Sequence, residues 1–139
     1  MSWLHWALLS AFFAGITAVL AKIGVAEVNP NLANAIRTTV VLVFSWGLVF
    51  LARPAGSIGG ISRRAWIFLV LSGLATGLSW LCYFRALQLG PASRVAPVDK
   101  LSVVFAIFFA VLCLGEKLAW YQWLGAGLIA MGAVILAWK

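Results

Sequence analysis

The chain has 139 residues and a formal net charge of +7; 65% of the residues are hydrophobic, 9% are charged, and the mean hydropathy is +1.09. Soluble domains are about 45–50% apolar and about 25% charged, so this composition excludes a water-soluble fold. The basic residues are spread beside and inside apolar runs, with Arg63-Arg64 as the only adjacent pair, which indicates a membrane protein rather than a nucleic-acid-binding one.

Five apolar runs follow one another along the chain, and a transmembrane helix needs about 20 such residues. Turn signals separate them, the strongest being Pro30 and Gly90-Pro91. The first run has no basic segment before it, so we expect a retained helix rather than a cleaved signal. The sequence therefore predicts a single all-α integral membrane domain over residues 1–139, a bundle of five transmembrane helices at about 3–24, 32–51, 65–89, 95–114 and 118–138.

The fourth run decides the number of crossings, because residues 101–114 alone are too short to span a bilayer. Extending the run back to Val95 gives a sufficient length and places Pro97 in the first helical turn, where proline is tolerated. The extension also brings Asp99 and Lys100 into the embedded helix. The fourth and fifth helices are then an antiparallel hairpin around Gly115-Glu116-Lys117.

Ionised side chains inside a bilayer cost at least about 2.5–3.5 kcal/mol on insertion scales and usually face protein or water. The long basic side chains could instead reach the headgroups. Asp99 is too short for that, so it should pair with Lys100, Arg85 or Arg94, face a wet cavity, or be favoured at a helix start by the dipole. The embedded candidates for substrate binding or coupling are Lys22, Arg37, Arg85, Asp99 and Lys100.

The third helix carries polar side chains on one face, which suits either a solute-lining surface or ordinary helix packing. Trp80 and Tyr83 are candidate cavity aromatics, and Arg85 points about 160–200° away from that face. The polar face consists of Ser72, Thr76, Ser79 and Tyr83.

Small residues recur at helical spacing on three helices, and such faces let helices approach closely in lipid. So many packing faces in a short chain predict self-association. The faces consist of Ala11, Gly15 and Ala18, of Gly73 and Gly77, and of Ala126, Ala130 and Ala133.

Motifs for enzymatic chemistry are not recognisable in the sequence. Cys82 and Cys113 lie in apolar runs, where the thiol acts as a small hydrophobe. His5 is the single histidine, no ligand cluster suggests a metal or another cofactor, and no phosphate-binding glycine loop precedes a lysine. We therefore expect no enzyme, and a transport step driven by an ion or solute gradient.

Two turns carry a family resemblance: ALQLGPAS at residues 86–93 and LGEK at residues 114–117. With the number and spacing of helices, they make the chain resemble a single EamA domain of the drug/metabolite transporter superfamily over nearly its whole length. The resemblance implies one half of a ten-helix inverted-repeat fold around a central cavity. It also implies a homodimer, or a heterodimer with another half, in the bacterial inner membrane.

An odd number of crossings puts the two chain ends on opposite sides, so an inverted pair requires opposite insertion. Four basic residues lie on the N-terminal side (Arg53, Arg63, Arg64 and Lys117) and six on the other (Lys22, Arg37, Arg85, Arg94, Lys100 and Lys139). Discounting the four embedded ones of the second group leaves four against two. The positive-inside rule thus permits dual topology, with the N-terminus inside as the best single orientation.

The leading functional hypothesis is a secondary transporter that exports a small organic metabolite by alternating access between two halves. The first alternative is a non-transporting membrane subunit of a larger complex. The second is a small multidrug exporter, which would need an embedded glutamate in its first helix, whereas Glu27 follows that helix.

Overall fold

The computed structural model describes residues 2–52 and 58–138, so Arg53, Lys139 and most of the linker after the second helix lie outside the described residues. No strand occurs in the described ranges. The described part of the chain forms six α-helices, with a 3-10 turn at Ile58–Gly60. In chain order they are α1 (Trp3–Val25), α2 (Pro30–Ala52), α3 (Arg63–Leu89), α4 (Ala92–Asp99), α5 (Ser102–Leu114) and α6 (Trp120–Ala137).

In the described residues, five helical spans are long and apolar enough to cross a membrane, as expected; α4 and α5 together form one of them, Ala92–Leu114. At 1.5 Å per residue its 23 residues extend about 34 Å, enough for a hydrocarbon core of about 30 Å. Large apolar side chains are exposed along every span. A surface of this kind is stable only against lipid or further protein, so the all-α integral membrane class holds.

The fourth crossing begins at Ala92, three residues earlier than expected. Pro91 has an extended backbone, and its carbonyl accepts hydrogen bonds from the N–H groups of Arg94 (3.0 Å) and Val95 (3.1 Å), which starts the helix at once. Pro97 consequently lies in the second turn instead of the first. There it removes a backbone donor from the helix interior.

The helix tightens where α4 meets α5. Lys100 N–H is shared between the Ala96 carbonyl (3.3 Å) and the Pro97 carbonyl (3.1 Å), four and three residues back. Leu101 N–H donates to the Val98 carbonyl and Val103 N–H to the Lys100 carbonyl, each at 3.0 Å and three residues back. Such short 3-10 stretches mark strain or a hinge inside a helix. The helix of the fourth crossing is therefore irregular beside Asp99.

A left-handed glycine ends α5 and opens the hairpin to α6. Gly115 has φ +68°, a conformation that costs other L-residues about 1–2 kcal/mol, and the Glu116 N–H closes the end on the Ala110 carbonyl at 3.4 Å. α6 begins at Trp120, two residues later than expected. There the Gln122 side-chain oxygen accepts the Ala119 N–H at 2.7 Å.

The chain divides into two compact units: a terminal unit of Met1–Lys22 with Leu89–Lys139, and a middle unit of Ile23–Gln88. In the terminal unit α6 packs on α4 and α5, burying Ala126 and Ala133. In the middle unit the buried side chains are Val25, Phe84 and Leu87.

Candidate functional site

The middle unit places an arginine against an aromatic side chain of the neighbouring helix. The Arg37 guanidinium of α2 lies 4.4 Å from the ring centroid of Trp80 on α3, and 5.6 Å from that of Phe84. Trp80 and Phe84 are four residues apart, so they share one helical face. Both Arg37 and Trp80 are half-buried, while Phe84 is 2% exposed.

The contacts of this guanidinium are aromatic rather than ionic. Tyr83 lies close enough to interact electrostatically with this guanidinium. Its ring packs edge-on against that of Phe84, with ring centroids 6.5 Å apart. Within residues 23–52 and 58–88, no carboxylate lies at ion-pair distance from Arg37. A guanidinium that is in no ion pair has N–H groups that an anionic acceptor can take.

The depth of Arg37 in the span distinguishes two roles for its side chain: forming a binding site, or extending to the lipid headgroups. Arg37 lies seven residues after the start of α2, and Trp80 nine residues before the end of α3. These separations correspond to about 10 Å and about 14 Å along the two helices. Because the guanidinium rests on Trp80, it remains inside the span, which favours a protein-facing position.

Arg85 does not join that contact; it belongs to a network at the end of α3. Its guanidinium donates to the Gln88 side-chain oxygen at 3.2 Å. The Gln88 amide nitrogen in turn donates to the carbonyls of Val25 (3.2 Å) and Val28 (2.8 Å). Gln88 therefore ties the loop after α1 to α3 and orients Arg85.

We expect Gln88→Leu to destabilise the protein by about 1–3 kcal/mol, because two partly buried carbonyls lose their donor. The measurement is the thermal unfolding midpoint in detergent. Leu89→Ala, which truncates an exposed neighbour, is the matched control and should change the midpoint little. An unchanged midpoint for Gln88→Leu would show that the carbonyls find other partners.

A cleft opens beside Arg85. It has a volume of about 320 Å³ and is lined by Asn29, Pro30, Asn31, Leu81 and Arg85. The Asn29 side-chain oxygen already accepts the Asn31 N–H at 2.9 Å. The remaining side-chain groups of Asn29 and Arg85 are donors, so the described polar wall of this cleft offers more donors than acceptors.

Asn34, one turn before Arg37, has a buried side-chain oxygen without a hydrogen-bond partner in the described part of the chain. Such an atom costs about 1–3 kcal/mol. We therefore expect Asn34→Leu to raise the unfolding midpoint in detergent. A lower midpoint would mean that the oxygen is satisfied in the folded protein.

In the terminal unit the structure pairs Asp99 with its chain neighbour. The Lys100 ammonium lies 3.3 Å from the Asp99 carboxylate, with the side chains 55% and 34% exposed. Lys100 also borders a largely apolar groove of about 420 Å³ between α4 and α6, lined by Ala96, Pro97, Lys100, Ile129, Gly132, Ala133 and Leu136. Of the three partners considered for Asp99, the adjacent lysine is the one within ion-pair distance.

Lys22 has a structural use in the same unit. Its ammonium donates to the Gly90 carbonyl at 2.8 Å, just beyond the end of α3. Cations commonly satisfy the last carbonyls of a helix in this way. This contact accounts for an embedded lysine at this position, with no need for a role in binding a solute.

The remaining candidates differ in exposure. Ser79 is exposed on α3, and the nearby Thr76 hydroxyl donates to the Ser72 carbonyl of its own helix at 2.9 Å. Among the small residues, Ala18, Ala126 and Ala133 are buried, Ala130 and Gly77 are half-buried, and Ala11, Gly15 and Gly73 are exposed. A methyl group built on Gly15, Gly73 or Gly77 meets no atom within 4 Å, so these faces are open.

Sequence reasoning assigned no role to Phe84 or Gln88. Phe84 lies four residues after Trp80, a spacing that could have placed it on the same face. Gln88 stands inside the ALQLGPAS turn, and an amide near the end of an apolar helix is a signal for backbone capping.

Comparison with known proteins adds a family and several relatives. The model of the EamA-like transporter family matches residues 1–138. A Sinorhizobium sp protein described as "Uncharacterized transporter in cobO 3'region" is 55% identical over 136 residues, covering 98% of this chain and 96% of the relative. No solved structure matches the chain.

More distant relatives match about half of the chain. An Aeromonas salmonicida protein described as "Probable 4-amino-4-deoxy-L-arabinose-phosphoundecaprenol flippase subunit ArnE" is 32% identical over 69 residues, 50% of this chain and 60% of the relative. An Erwinia tasmaniensis protein described as the corresponding probable subunit ArnF is 38% identical over 73 residues, 50% of this chain and 57% of the relative.

Proposed function

The chain belongs to the EamA-like transporter family, and from that premise we propose that it is a secondary transporter of a small organic metabolite in the bacterial inner membrane. Two copies, or one copy with another half-transporter, enclose the solute path and expose it alternately to the two sides. The family and the descriptions of the relatives indicate a transporter rather than an enzyme. The net direction is outward.

The observation that carries the proposal is the position of Arg37. An embedded charge is costly, and among the described residues of its unit this one has no carboxylate to offset the cost. It lies on Trp80, whose ring offers a flat apolar surface. A charge held this way inside a span is what a solute-binding position requires.

Pairing is supported by how little of the chain is buried. Seven hydrophobic side chains make up the buried core of the described residues. Gly73 and Gly77 lie on the α3 face that also carries Trp80, and the space in front of both is open. A second copy packed on these glycines would close the solute path beside Trp80.

The Asp99–Lys100 pair is our candidate for coupling. It stands where the helix of the fourth crossing tightens to 3-10 hydrogen bonds, and irregular helices line ion and solute sites in transporters. Lys22 is secondary in this scheme because its ammonium already serves the Gly90 carbonyl. The two copies would insert in opposite directions, which the balance of basic residues permits.

A second candidate, a non-transporting subunit, is favoured by the word "subunit" in the descriptions of the ArnE and ArnF relatives. The small multidrug exporter has less support, because α1 ends at Val25 and Glu27 lies beyond it.

Reconstitution tests transport against the subunit role. Purified protein in liposomes is given a panel of labelled organic acids, sugar phosphates, amino acids, nucleobases and organic cations, with a solute or proton gradient. Protein-dependent flux of one class supports the transporter. Absence of flux, together with a co-purifying membrane protein that transports the solute without this chain, supports the subunit.

A further inference from the structure

We propose that the middle unit binds an anionic group, a carboxylate or a phosphate, at two successive arginines: Arg85 in the surface cleft and Arg37 on Trp80. The proposal rests on the proposed function, because it names the class of solute that the path accepts. It also assigns a role to the cleft beside Arg85.

The charges of the middle unit favour an anion. The described residues of this unit contain one carboxylate, Glu27, and it lies at ion-pair distance from neither Arg37 nor Arg85. The two guanidiniums therefore have no internal counter-ion. A cation in the path would be repelled by both, and an uncharged solute would leave both charges without a counter-ion.

The chemistry of each arginine fits an anion. Arg85 has one N–H on Gln88 and keeps its other donors, beside an Asn29 amide whose oxygen is already occupied. The Arg37 guanidinium lies over Trp80 and is in no ion pair within the described residues of its unit, so a carboxylate or phosphate could accept two parallel hydrogen bonds from it. Lysine could supply the charge but neither the fork nor the stacking.

The two cationic positions follow one another along α3, from its end towards the interior of the span. Leu81 and Arg85 border the cleft, while Trp80 and Phe84 contact Arg37, and each pair is one turn apart on adjoining faces of the helix. Arg85 lies four residues before the end of α3 and Arg37 lies deeper in the span. An anion admitted at the cleft thus has a second cationic position further inside.

The size of the cleft limits what it accepts. Ligand pockets usually measure about 300–1,000 Å³, and about 320 Å³ is at the small end of that range. The cleft therefore fits a single charged group with a short organic body. A lipid headgroup or a free organic acid or phosphate would satisfy the same chemistry.

Binding is tested on the full chain in neutral detergent by ligand-observed NMR with four probes of similar size: phenyl phosphate, benzoate, benzyl alcohol and benzylamine. We expect one or both anions to bind, and Arg37→Gln to weaken that binding about 10–100-fold, as the loss of charge-assisted hydrogen bonds implies. Arg37→Lys should lose part of the affinity, and Arg85→Gln should slow association.

Arg64→Gln is the matched control, since Arg64 also lies over an aromatic ring, Phe68 at 5.9 Å, but at the opposite end of α3. This variant should bind the anions as the wild type does. The proposal is overturned if benzyl alcohol or benzylamine binds as well as the anions, or if Arg64→Gln weakens anion binding as much as Arg37→Gln does.

Nanodiscs distinguish the two sources of the anion. If phosphatidylglycerol, compared with phosphatidylcholine alone, competes with phenyl phosphate in wild type but not in Arg85→Gln, the cleft binds a headgroup. If it does not compete, the cleft binds a free solute, and either outcome supports an anion site. If Arg37→Gln leaves the flux of a cation unchanged, the anion proposal alone is overturned. If anions bind but no flux occurs, with or without a co-purifying partner, the transporter alone is overturned.

Discussion

Replacing Arg37 with glutamine should reduce solute flux in liposomes about 10–100-fold while leaving the protein folded. The loss follows from removing charge-assisted hydrogen bonds to the solute, which contribute about 1.5–3 kcal/mol. The fold should tolerate the change because the contacts of Arg37 are aromatic, and a cation–π contact contributes about 0.5–2 kcal/mol. Taking an embedded charge out of the span offsets that loss. We therefore expect an inactive variant that is at least as stable as the wild type.

Measuring both flux and the unfolding midpoint distinguishes solute binding by Arg37 from a purely structural role of this residue. Arg64→Gln should retain full flux, since Arg64 is exposed at the other end of α3. If Arg37→Gln loses flux only in proportion to a lower midpoint, Arg37 stabilises the bundle and does not bind the solute. Full flux in a stable variant would remove Arg37 from the path altogether.

Substituting Gly77 with leucine should separate the two copies and abolish flux without unfolding either. A Cβ atom at this position meets no atom within 4 Å in the single chain, so we expect the effect of the substitution to arise from a partner. Close helix approach through small residues is the main source of association in lipid. A loss of about 1.4 kcal/mol would shift the midpoint of dissociation about tenfold in protein concentration. Cross-linking in detergent at several dilutions measures this shift.

Gly47→Leu is the matched control for the glycine variant. Gly47 also has open space around it, but valine and leucine, not small residues, stand four positions before and after it on α2. That variant should keep both pairing and flux. A Gly77→Leu protein that remains paired yet inactive would show instead that the glycine face lines the path directly.

The crossings could be predicted from the sequence, since length and hydropathy alone set them. The Asp99–Lys100 pair was among the expected partners because the two residues are adjacent in the chain. The start of α4 at Ala92 could be predicted less accurately, because Pro91 is both a stop signal for the preceding helix and the N-cap of the following one. Helix ends depend on such local competition.

The contact between Arg37 and Trp80 was beyond the reach of the sequence. Both residues were candidates, but their contact depends on how α2 and α3 rotate against each other. In a bundle with apolar residues all around each helix, periodicity does not fix that rotation. The same limit applies to Gln88, whose two carbonyl partners lie about 60 residues earlier in the chain. Its role follows only from the packing of α3 against the loop after α1.

The claim that the Arg37–Trp80 face lines a water-filled path is tested most directly by cysteine accessibility. Cys82 and Cys113 are first replaced by serine. One protein then carries Thr76→Cys, one turn before Trp80, and a second carries Leu78→Cys, about 200° around the helix from Trp80. A membrane-impermeant thiol reagent is supplied on both sides of the membrane, so that dual insertion does not affect the result. We expect the Thr76→Cys protein to react and the Leu78→Cys protein to remain unmodified, with phenyl phosphate slowing the first reaction. Equal reactivity of the two proteins, or none in either, would contradict a solute path on this face.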